Sequence, residues 1–392
     1  MLPALFWLLL PVAAASGWWL AWRQARRDSE AAADRNAYFL SLNYLLDDRP
    51  DQALEVFEHM ASGDRDTVET QLMLGNLFRR RGEVDRAIHT HHALLTRNPL
   101  TPEQRQRVLL ELAEDYTRAG LLDRAENLYL HLVEGPAQPD TLAAALNRLI
   151  GIYEQEKDWR QAITHCDLLE RRTGQVRKIE AAQYCCELTQ QALDQQEPEV
   201  AQSCLQEALQ RNAACARANL LRARLALAAD DRAGAIEALI AVEHQVPRLL
   251  SEVLAPLAEC FEALNRMPDF LDWLHAVHER HRYGWLAASL AHHLARWQGI
   301  PQALDFLDRV LARQPSFIGL RTLLELELER EPQDGGHLST LFRAGRRMLD
   351  GAARYRCGQC GLVSTTLMWQ CPSCKHWETI APLPDLICRS PT

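Results

Sequence analysis

A repeat with a period of 33 to 39 residues constrains the fold of this 392-residue chain more than any other feature. In the clearest unit a small residue, Gly75, is followed three positions later by an aromatic residue, Phe78. A second small residue, Ala87, lies twelve positions after the first, and Pro99 closes the unit. Apolar residues at helical spacing surround these markers, so each unit predicts two helices that pack closely at the small residues.

The same frame covers most of the chain. Between positions 36 and 330 it predicts about eight units of the tetratricopeptide repeat (TPR) type. Such helix pairs cannot bury their apolar stripes alone, so stacked pairs are predicted to share one core and form an all-α superhelical solenoid. Arrays of this kind bind proteins or extended peptides; a purely structural spacer is the alternative. The predicted marker positions of the second helices are Ala53, Ala87, Ala125, Ala162, Ala201, Ala235, Phe270 and Ala303.

Four cysteines near the C-terminus predict a metal site. They form two C-x-x-C pairs, Cys357 with Cys360 and Cys371 with Cys374, separated by ten residues. Two such pairs can place four thiolates around one tetrahedral ion, although two disulfides would use the same residues. A module this small buries too little apolar surface to fold alone, so metal binding is expected to stabilise it. Four sulfur ligands indicate a closed structural or electron-transfer site rather than an open catalytic one.

The residues around these cysteines resemble rubredoxin knuckles. Gly361 follows the first pair and Pro372 lies within the second, but Lys375 replaces the usual glycine, and the spacer is shorter than in electron-carrying rubredoxins. Zinc and iron both accept tetrahedral sulfur ligands. Residues 362–369 predict a β-strand, and residues 377–380 are predicted to continue the sheet. The residues expected to offset the negative charge of the site are Arg354, Arg356 and Lys375.

The N-terminus predicts a membrane anchor. Residues 2–22 carry no charge and would span about 30 Å as a helix, the thickness of a bilayer core. Tryptophans cluster at the end of this stretch and arginines follow it, which favours a retained anchor with the rest of the chain in the cytoplasm. A cleaved signal peptide is the alternative, but no basic segment precedes the apolar run.

The remaining residues predict no second site. The net charge of −9 argues against a general nucleic-acid binder. Seven further cysteines are scattered, mostly on apolar faces of predicted helices, where free thiols are expected to be buried, and this pattern suits a reducing compartment. The adjacent pair Cys185 and Cys186 and the histidines at 275, 278 and 281 are interpreted as core or surface residues rather than redox or metal sites. No nucleotide-binding or hydrolase motif is present, so the chain is predicted not to be an enzyme.

The order of the three parts resembles the lipopolysaccharide assembly protein B family of Gram-negative inner membranes. The most specific pieces are LLLPVAAASGWW in the anchor, LGNLFRRRGEVDRAI in the second repeat, and YRCGQCG with WQCPSCKHW around the cysteines. The resemblance implies a single-pass inner-membrane protein with a periplasmic N-terminus and a cytoplasmic TPR array. It also implies iron at Cys357, Cys360, Cys371 and Cys374, although zinc is chemically as plausible.

The resemblance further implies a regulatory adaptor. Family members promote degradation of the UDP-3-O-acyl-N-acetylglucosamine deacetylase of lipid A synthesis by the membrane protease FtsH. Their rubredoxin-like domain packs against the TPR array and is needed for activity. Other lipopolysaccharide synthesis or transport proteins are further expected partners, and homodimers are compatible with the architecture. A scaffold for lipopolysaccharide assembly enzymes and a membrane-associated rubredoxin-type redox protein are the alternative functions.

These observations predict six segments. They are a transmembrane anchor at 1–22, a basic and polar linker at 23–35, the TPR array at 36–330, a hinge and linking helix at 331–354, a rubredoxin-like or zinc-ribbon β module at 355–382, and a tail at 383–392.

Overall fold

The computed structural model describes residues 18–19, 22–24, 51–52, 55–56, 68–97, 99–331, 336–349 and 354–383. Most of the predicted anchor, linker, first repeat and C-terminal tail therefore lies outside the described residues. Within the described part of the chain, no helix has both the length and the apolar character needed to cross a membrane. The chain divides into two compact units, residues 1–175 and residues 176–392.

The described part of the first unit is helical. Its small marker residues Ala87, Ala125 and Ala162 are completely buried, because each lies where the second helix of a pair packs against its neighbours. The predicted packing role of these three alanines is thereby confirmed. The helices are α1 (Val68–Arg80), α2 (Val84–Arg97), α3 (Pro102–Arg118), α4 (Leu122–Glu134), α5 (Pro139–Glu156) and α6 (Trp159–Thr173).

The second unit combines helices with a small sheet. A single-turn 3₁₀ helix, Pro247–Leu249, precedes α11. The helices are α7 (Lys178–Asp194), α8 (Pro198–Arg211), α9 (Ala216–Ala228), α10 (Arg232–Gln245), α11 (Leu250–Ala263), α12 (Met267–His281), α13 (Gly284–Trp297), α14 (Ile300–Arg313), α15 (Phe317–Arg330) and α16 (Gly336–Leu349). The strands are β1 (Tyr355–Cys357), β2 (Val363–Ser364) and β3 (Ile380–Pro382).

The apolar core of the second unit lies between its helices. The marker residues Ala201, Ala235 and Ala303 are fully buried, as the repeat predicts. Phe270 stands where the repeat expects alanine, and it is fully buried as well. Its ring centroid lies 5.8 Å from that of Phe261 and 5.0 Å from that of His293. The larger side chain is therefore accommodated within an aromatic cluster in this repeat.

Glycines and prolines mark the ends of several helices. Gly82 and Gly120 adopt positive φ values of 84° and 75°, which a glycine reaches without the steric cost of a Cβ atom. Gly75 has a different role inside α1, because a Cβ atom there would lie 2.3 Å from the buried His91 Nε2. Helices α2, α10 and α14 each end two residues before a proline. The three prolines are Pro99, Pro247 and Pro315.

The sheet is smaller than the sequence predicts. Its order is β2-β1-β3 with antiparallel neighbours; Arg356 pairs with Val363 on one side and with Ala381 on the other. The prediction of one strand over residues 362–369 is wrong in extent, since only Val363–Ser364 forms a strand within it. The apolar side chains Leu367 and Trp369 instead pack against the helical core of the second unit.

Candidate metal centre

Two matching turns present the four predicted cysteine ligands. In the first turn the amide of Gly361 donates to the carbonyl of Cys357 over 3.0 Å, and in the second the amide of Lys375 donates to the carbonyl of Cys371 over 2.8 Å. Gly361 has a φ of 79° and Lys375 a φ of 61°. Lys375 therefore takes the left-handed conformation of the expected glycine, at a cost of about 1 kcal/mol.

The structure brings all four cysteine sulfurs together. The Sγ atoms lie within 4.8 Å of one another, with 3.7 Å between Cys357 and Cys374 and 3.6 Å between Cys360 and Cys371. Tetrahedral coordination at a metal–sulfur distance of about 2.3 Å places sulfurs about 3.8 Å apart, so the cluster fits one ion. The thiols are free and lie beyond the sulfur–sulfur bond length of about 2.05 Å.

Local hydrogen bonds favour the thiolate forms of Cys357 and Cys360. At Cys374 the backbone hydrogen bond of His376 is outweighed by desolvation and the neighbouring thiols, which raise the pKa of Cys374 to about 11. The contact between Cys357 Sγ and Thr379 Oγ1, 3.3 Å long, lowers the pKa of Cys357 to about 6. The backbone amide of Leu362 lowers the pKa of Cys360. Cys357 and Cys371 are buried whereas Cys360 is exposed, so the cluster lies at the edge of the module.

The three predicted counter-charges lie on the surface of the module. Arg354, Arg356 and Lys375 are all exposed. A Cβ atom added at Gly361 would lie 3.8 Å from Arg356 Nη2, so this guanidinium lies beside the first turn. Their positive charges oppose the formal charge of −2 that four thiolates and a divalent ion would carry.

The histidines that the sequence singles out do not converge. His278 is buried against Phe306 with 5.6 Å between ring centroids, whereas His275 is exposed. Among the described residues, the four cysteines form the one group of three or more His, Cys, Asp or Glu side chains close enough to share an ion.

Aromatic contacts dock the module onto the helices of the second unit. The Trp377 ring packs edge-on against Tyr184 of α7, with 5.9 Å between centroids. The Arg217 guanidinium of α9 lies over Trp369 at 5.7 Å from the ring centroid. Trp369 and Trp377 flank the second cysteine pair, and this clustering of large aromatic residues is the one sequence signal for a docking surface.

Two buried or half-buried hydrogen bonds secure the same interface. The Tyr355 hydroxyl donates to Glu252 Oε1 of α11 over 2.6 Å. Gln183 Nε2 of α7 donates to Glu378 Oε1 over 2.6 Å. Burial, reinforced by the Glu252 carboxylate, raises the pKa of Tyr355 to about 12, so its hydroxyl keeps its proton. Burial also raises the pKa of Glu378.

Comparisons with known families agree with both parts of the structure. A family described as "Rubredoxin metal binding domain" matches residues 355–382. A family described as "Tetratricopeptide repeat" matches residues 72–103.

Two curated relatives match along almost their whole length. "Lipopolysaccharide assembly protein B" of Escherichia coli (strain K12) is 34% identical over 392 residues, which cover 98% of this chain and 99% of the relative. The protein of the same name from Haemophilus influenzae is 34% identical over 396 residues, covering 97% and 98%. Part of a TPR protein from Cytophaga hutchinsonii covers 70% of this chain and 98% of its own at 16% identity, with a TM-score of 0.37. A structural similarity this weak adds nothing to the assignment.

Proposed function

Since the chain belongs to the lipopolysaccharide assembly protein B family, we propose that it acts in lipopolysaccharide assembly as a protein-binding adaptor without catalysis of its own. The observation that carries this proposal is the 34% identity to the Escherichia coli relative over 98% of the chain. The match includes the helical repeats and the cysteine module, so the proposal rests on the complete architecture rather than on the repeats alone.

The adaptor brings a membrane protease and its substrate together. The protease is FtsH, and the substrate is the UDP-3-O-acyl-N-acetylglucosamine deacetylase of lipid A synthesis. Residues 1–22 anchor the chain in the bacterial inner membrane, with the N-terminus in the periplasm and the remainder in the cytoplasm. Confinement to the membrane raises the effective concentration of the bound partners without any additional contact.

The second unit offers a surface for such a partner. A cleft of about 460 Å³ lies between α11 and α13, and the half-buried Trp285 provides an apolar contact in it. Glu259, His293 and Arg296 supply polar groups at the same cleft. An apolar centre with polar groups at its rim is typical of the surfaces by which proteins bind one another.

The four cysteines hold one structural metal ion in this proposal. Cys357, Cys360, Cys371 and Cys374 are the ligands, and iron is proposed from the family resemblance. A bound ion closes the small sheet and so keeps Trp369 and Trp377 in place against α9 and α7. Metal analysis of the purified protein separates iron from zinc; a colourless zinc protein with full activity would exclude the rubredoxin-type redox alternative.

The test measures the lifetime of the deacetylase in cells that lack the native adaptor. Complementation with the wild-type chain is expected to restore rapid degradation, whereas the chain without residues 1–22 and the Cys371→Ser variant are expected not to. Cys260→Ser is the matched control, because Cys260 is a buried array cysteine outside the metal cluster. An anchorless chain that restores normal degradation would refute tethering.

Crosslinking in native membranes separates the adaptor from a scaffold. Recovery of FtsH together with the deacetylase is expected for the adaptor. Recovery of several lipopolysaccharide synthesis enzymes without the protease would support the scaffold instead and would overturn the degradation step of the proposal.

A further inference from the structure

A second pair of thiols lies in the second unit, apart from the metal centre. Cys186 of α7 and Cys215, the residue that precedes α9, are both fully buried, and their Sγ atoms are 3.8 Å apart. The sequence draws attention to the adjacent residues Cys185 and Cys186, but the sulfur that faces Cys186 belongs to a residue 29 positions away. By contrast, the buried Cys260 has no thiol in hydrogen-bonding reach within the described residues.

The surroundings make the two thiols chemically different. Cys215 lies at the N-terminus of the 13-residue helix α9 and accepts a hydrogen bond of 3.4 Å from Gln183 Nε2. The hydrogen bond between the two thiols lowers the pKa of Cys215 and raises that of Cys186. Cys215 is therefore the better nucleophile, and Cys186 is the thiol that retains its proton.

The metal module contacts the residues that neighbour this pair. Gln183 Nε2, which donates to Cys215, also donates to Glu378 Oε1 of the module over 2.6 Å. Trp377, next to Glu378, packs against Tyr184, next to Gln183. A reagent from solvent therefore reaches the two sulfurs when these contacts open, so the docking of the module controls their exposure.

We propose that Cys186 and Cys215 form a reversible disulfide when hydrogen peroxide reaches them, and that docking of the metal module controls the rate. The Cys215 thiolate attacks one peroxide oxygen, the O–O bond breaks, and the departing hydroxide takes up a proton to give water and a sulfenic acid. The Cys186 sulfur then attacks the sulfenic sulfur, the S–O bond breaks, and the Cys186 proton leaves in a second water.

The reaction balances as two thiols oxidised and one peroxide reduced to two waters. The sulfurs must approach from 3.8 Å to about 2.05 Å, which small shifts of α7 and α9 can provide. This inference goes beyond the proposed role in lipopolysaccharide assembly, and it does not depend on that role.

The test treats the full-length, metal-loaded protein with hydrogen peroxide. The remaining thiols are then alkylated, the protein is digested without reductant, and the peptide linked through Cys186 and Cys215 is quantified by mass spectrometry. The linked peptide is expected in the wild type and in Cys260→Ser, and it is expected to disappear after treatment with dithiothreitol. It is expected to be absent from Cys186→Ser and Cys215→Ser. Folded, metal-loaded wild type that yields no linked peptide would overturn the proposal.

A second variant tests control by the module. Tyr355→Phe removes the hydrogen bond between the module and Glu252 without changing a group that contacts either thiol, and it is expected to speed formation of the link about three- to tenfold, the equivalent of one hydrogen bond. Tyr283→Phe is the matched control, since Tyr283 precedes α13 and lies outside the module, and it is expected to match the wild type. Metal content is measured in parallel to show that the module remains folded. A rate that is unchanged or lower in Tyr355→Phe would refute control by docking.

Discussion

The metal module and the helical core of the second unit reach stability by opposite means. Four residues form the buried core of the module, and two of them are the metal-site cysteines Cys357 and Cys371. The helical core is a continuous cluster that extends from α9 to α15 and consists almost entirely of aliphatic and aromatic side chains. Burial contributes roughly 25 cal/mol per Å² of apolar surface, so the array can lose one contact and stay folded. The module buries so little apolar surface that the loss of one contact is expected to unfold it.

This difference predicts in which region a single substitution can abolish folding. A ligand sulfur in the module has no substitute, because the small sheet provides almost no other buried surface. A buried side chain in the array shares its role with neighbours in the same cluster. Single substitutions in the module and in the array are therefore expected to have unequal effects.

Cys371→Ser is expected to have the largest effect. A weak hydroxyl ligand replaces a fully buried thiolate, so the module should lose its ion and with it about 10 kcal/mol or more of metal-dependent folding free energy. Metal analysis and hydrogen exchange across residues 355–382 measure the loss, while circular dichroism should show that the helices persist. Cys260→Ser is the control and should cost about 1 to 3 kcal/mol without metal loss. Equal losses of metal and of folding free energy in Cys371→Ser and Cys260→Ser would contradict the difference between the module and the array.

Phe270→Ala tests the helical core and is expected to have the next largest effect. The fully buried ring fills space between Phe261 and His293, and its removal should lower the free energy of unfolding by about 3 to 5 kcal/mol. Denaturant unfolding measures the change, and metal content should be retained. Trp297→Ala removes an aromatic side chain that is 45% exposed and should cost far less.

Tyr355→Phe tests the contact between the two regions. It removes the hydrogen bond to Glu252 and should lower the opening free energy of the module by about 1 to 2 kcal/mol. Hydrogen exchange of the module amides reports this change. Tyr283→Phe is the control, since the Tyr283 hydroxyl makes no hydrogen bond within the described residues; an equal loss in both variants would show that the contact is not stabilising.

The pH dependence carried by His278 is expected to be the smallest effect. Burial lowers the pKa of His278, so the folded state holds it neutral while the unfolded state binds a proton below about pH 6.5. Stability should therefore fall as the pH drops from 7.5 through 6.5 towards the lowered value. His278→Leu should show a shallower fall in chemical denaturation, and identical slopes for the two proteins would contradict this assignment.

The sequence predicts the repeats and the ligands well because their signals are local. Ala125 and Ala303 are buried as their spacing indicates, and Cys357 and Cys374 converge because each pair lies in its own tight turn. The strand prediction for residues 362–369 fails because a β-forming composition does not reveal whether a segment pairs in a sheet or packs on a helix.

The docking contacts could not be predicted in the same way. Gln183 and Glu378 are 195 residues apart and belong to no motif. In the sequence, Lys375 stands where a glycine is expected. In the structure it nevertheless adopts the left-handed conformation that the glycine would take. A sequence pattern identifies which residue type prefers that conformation. Whether another residue can adopt it depends on whether the contacts of the surrounding fold offset its steric cost.

The long separation between Gln183 and Glu378 has a consequence for biosynthesis. At about 5 to 20 residues per second, a ribosome needs roughly 10 to 40 s after Gln183 to reach the glutamate that hydrogen-bonds to it. Helices α7 and α9 thus leave the exit tunnel well before the segment that will cover them exists. Until the module is synthesised, Tyr184 and Arg217 therefore lack the contacts that Trp377 and Trp369 make with them in the complete protein.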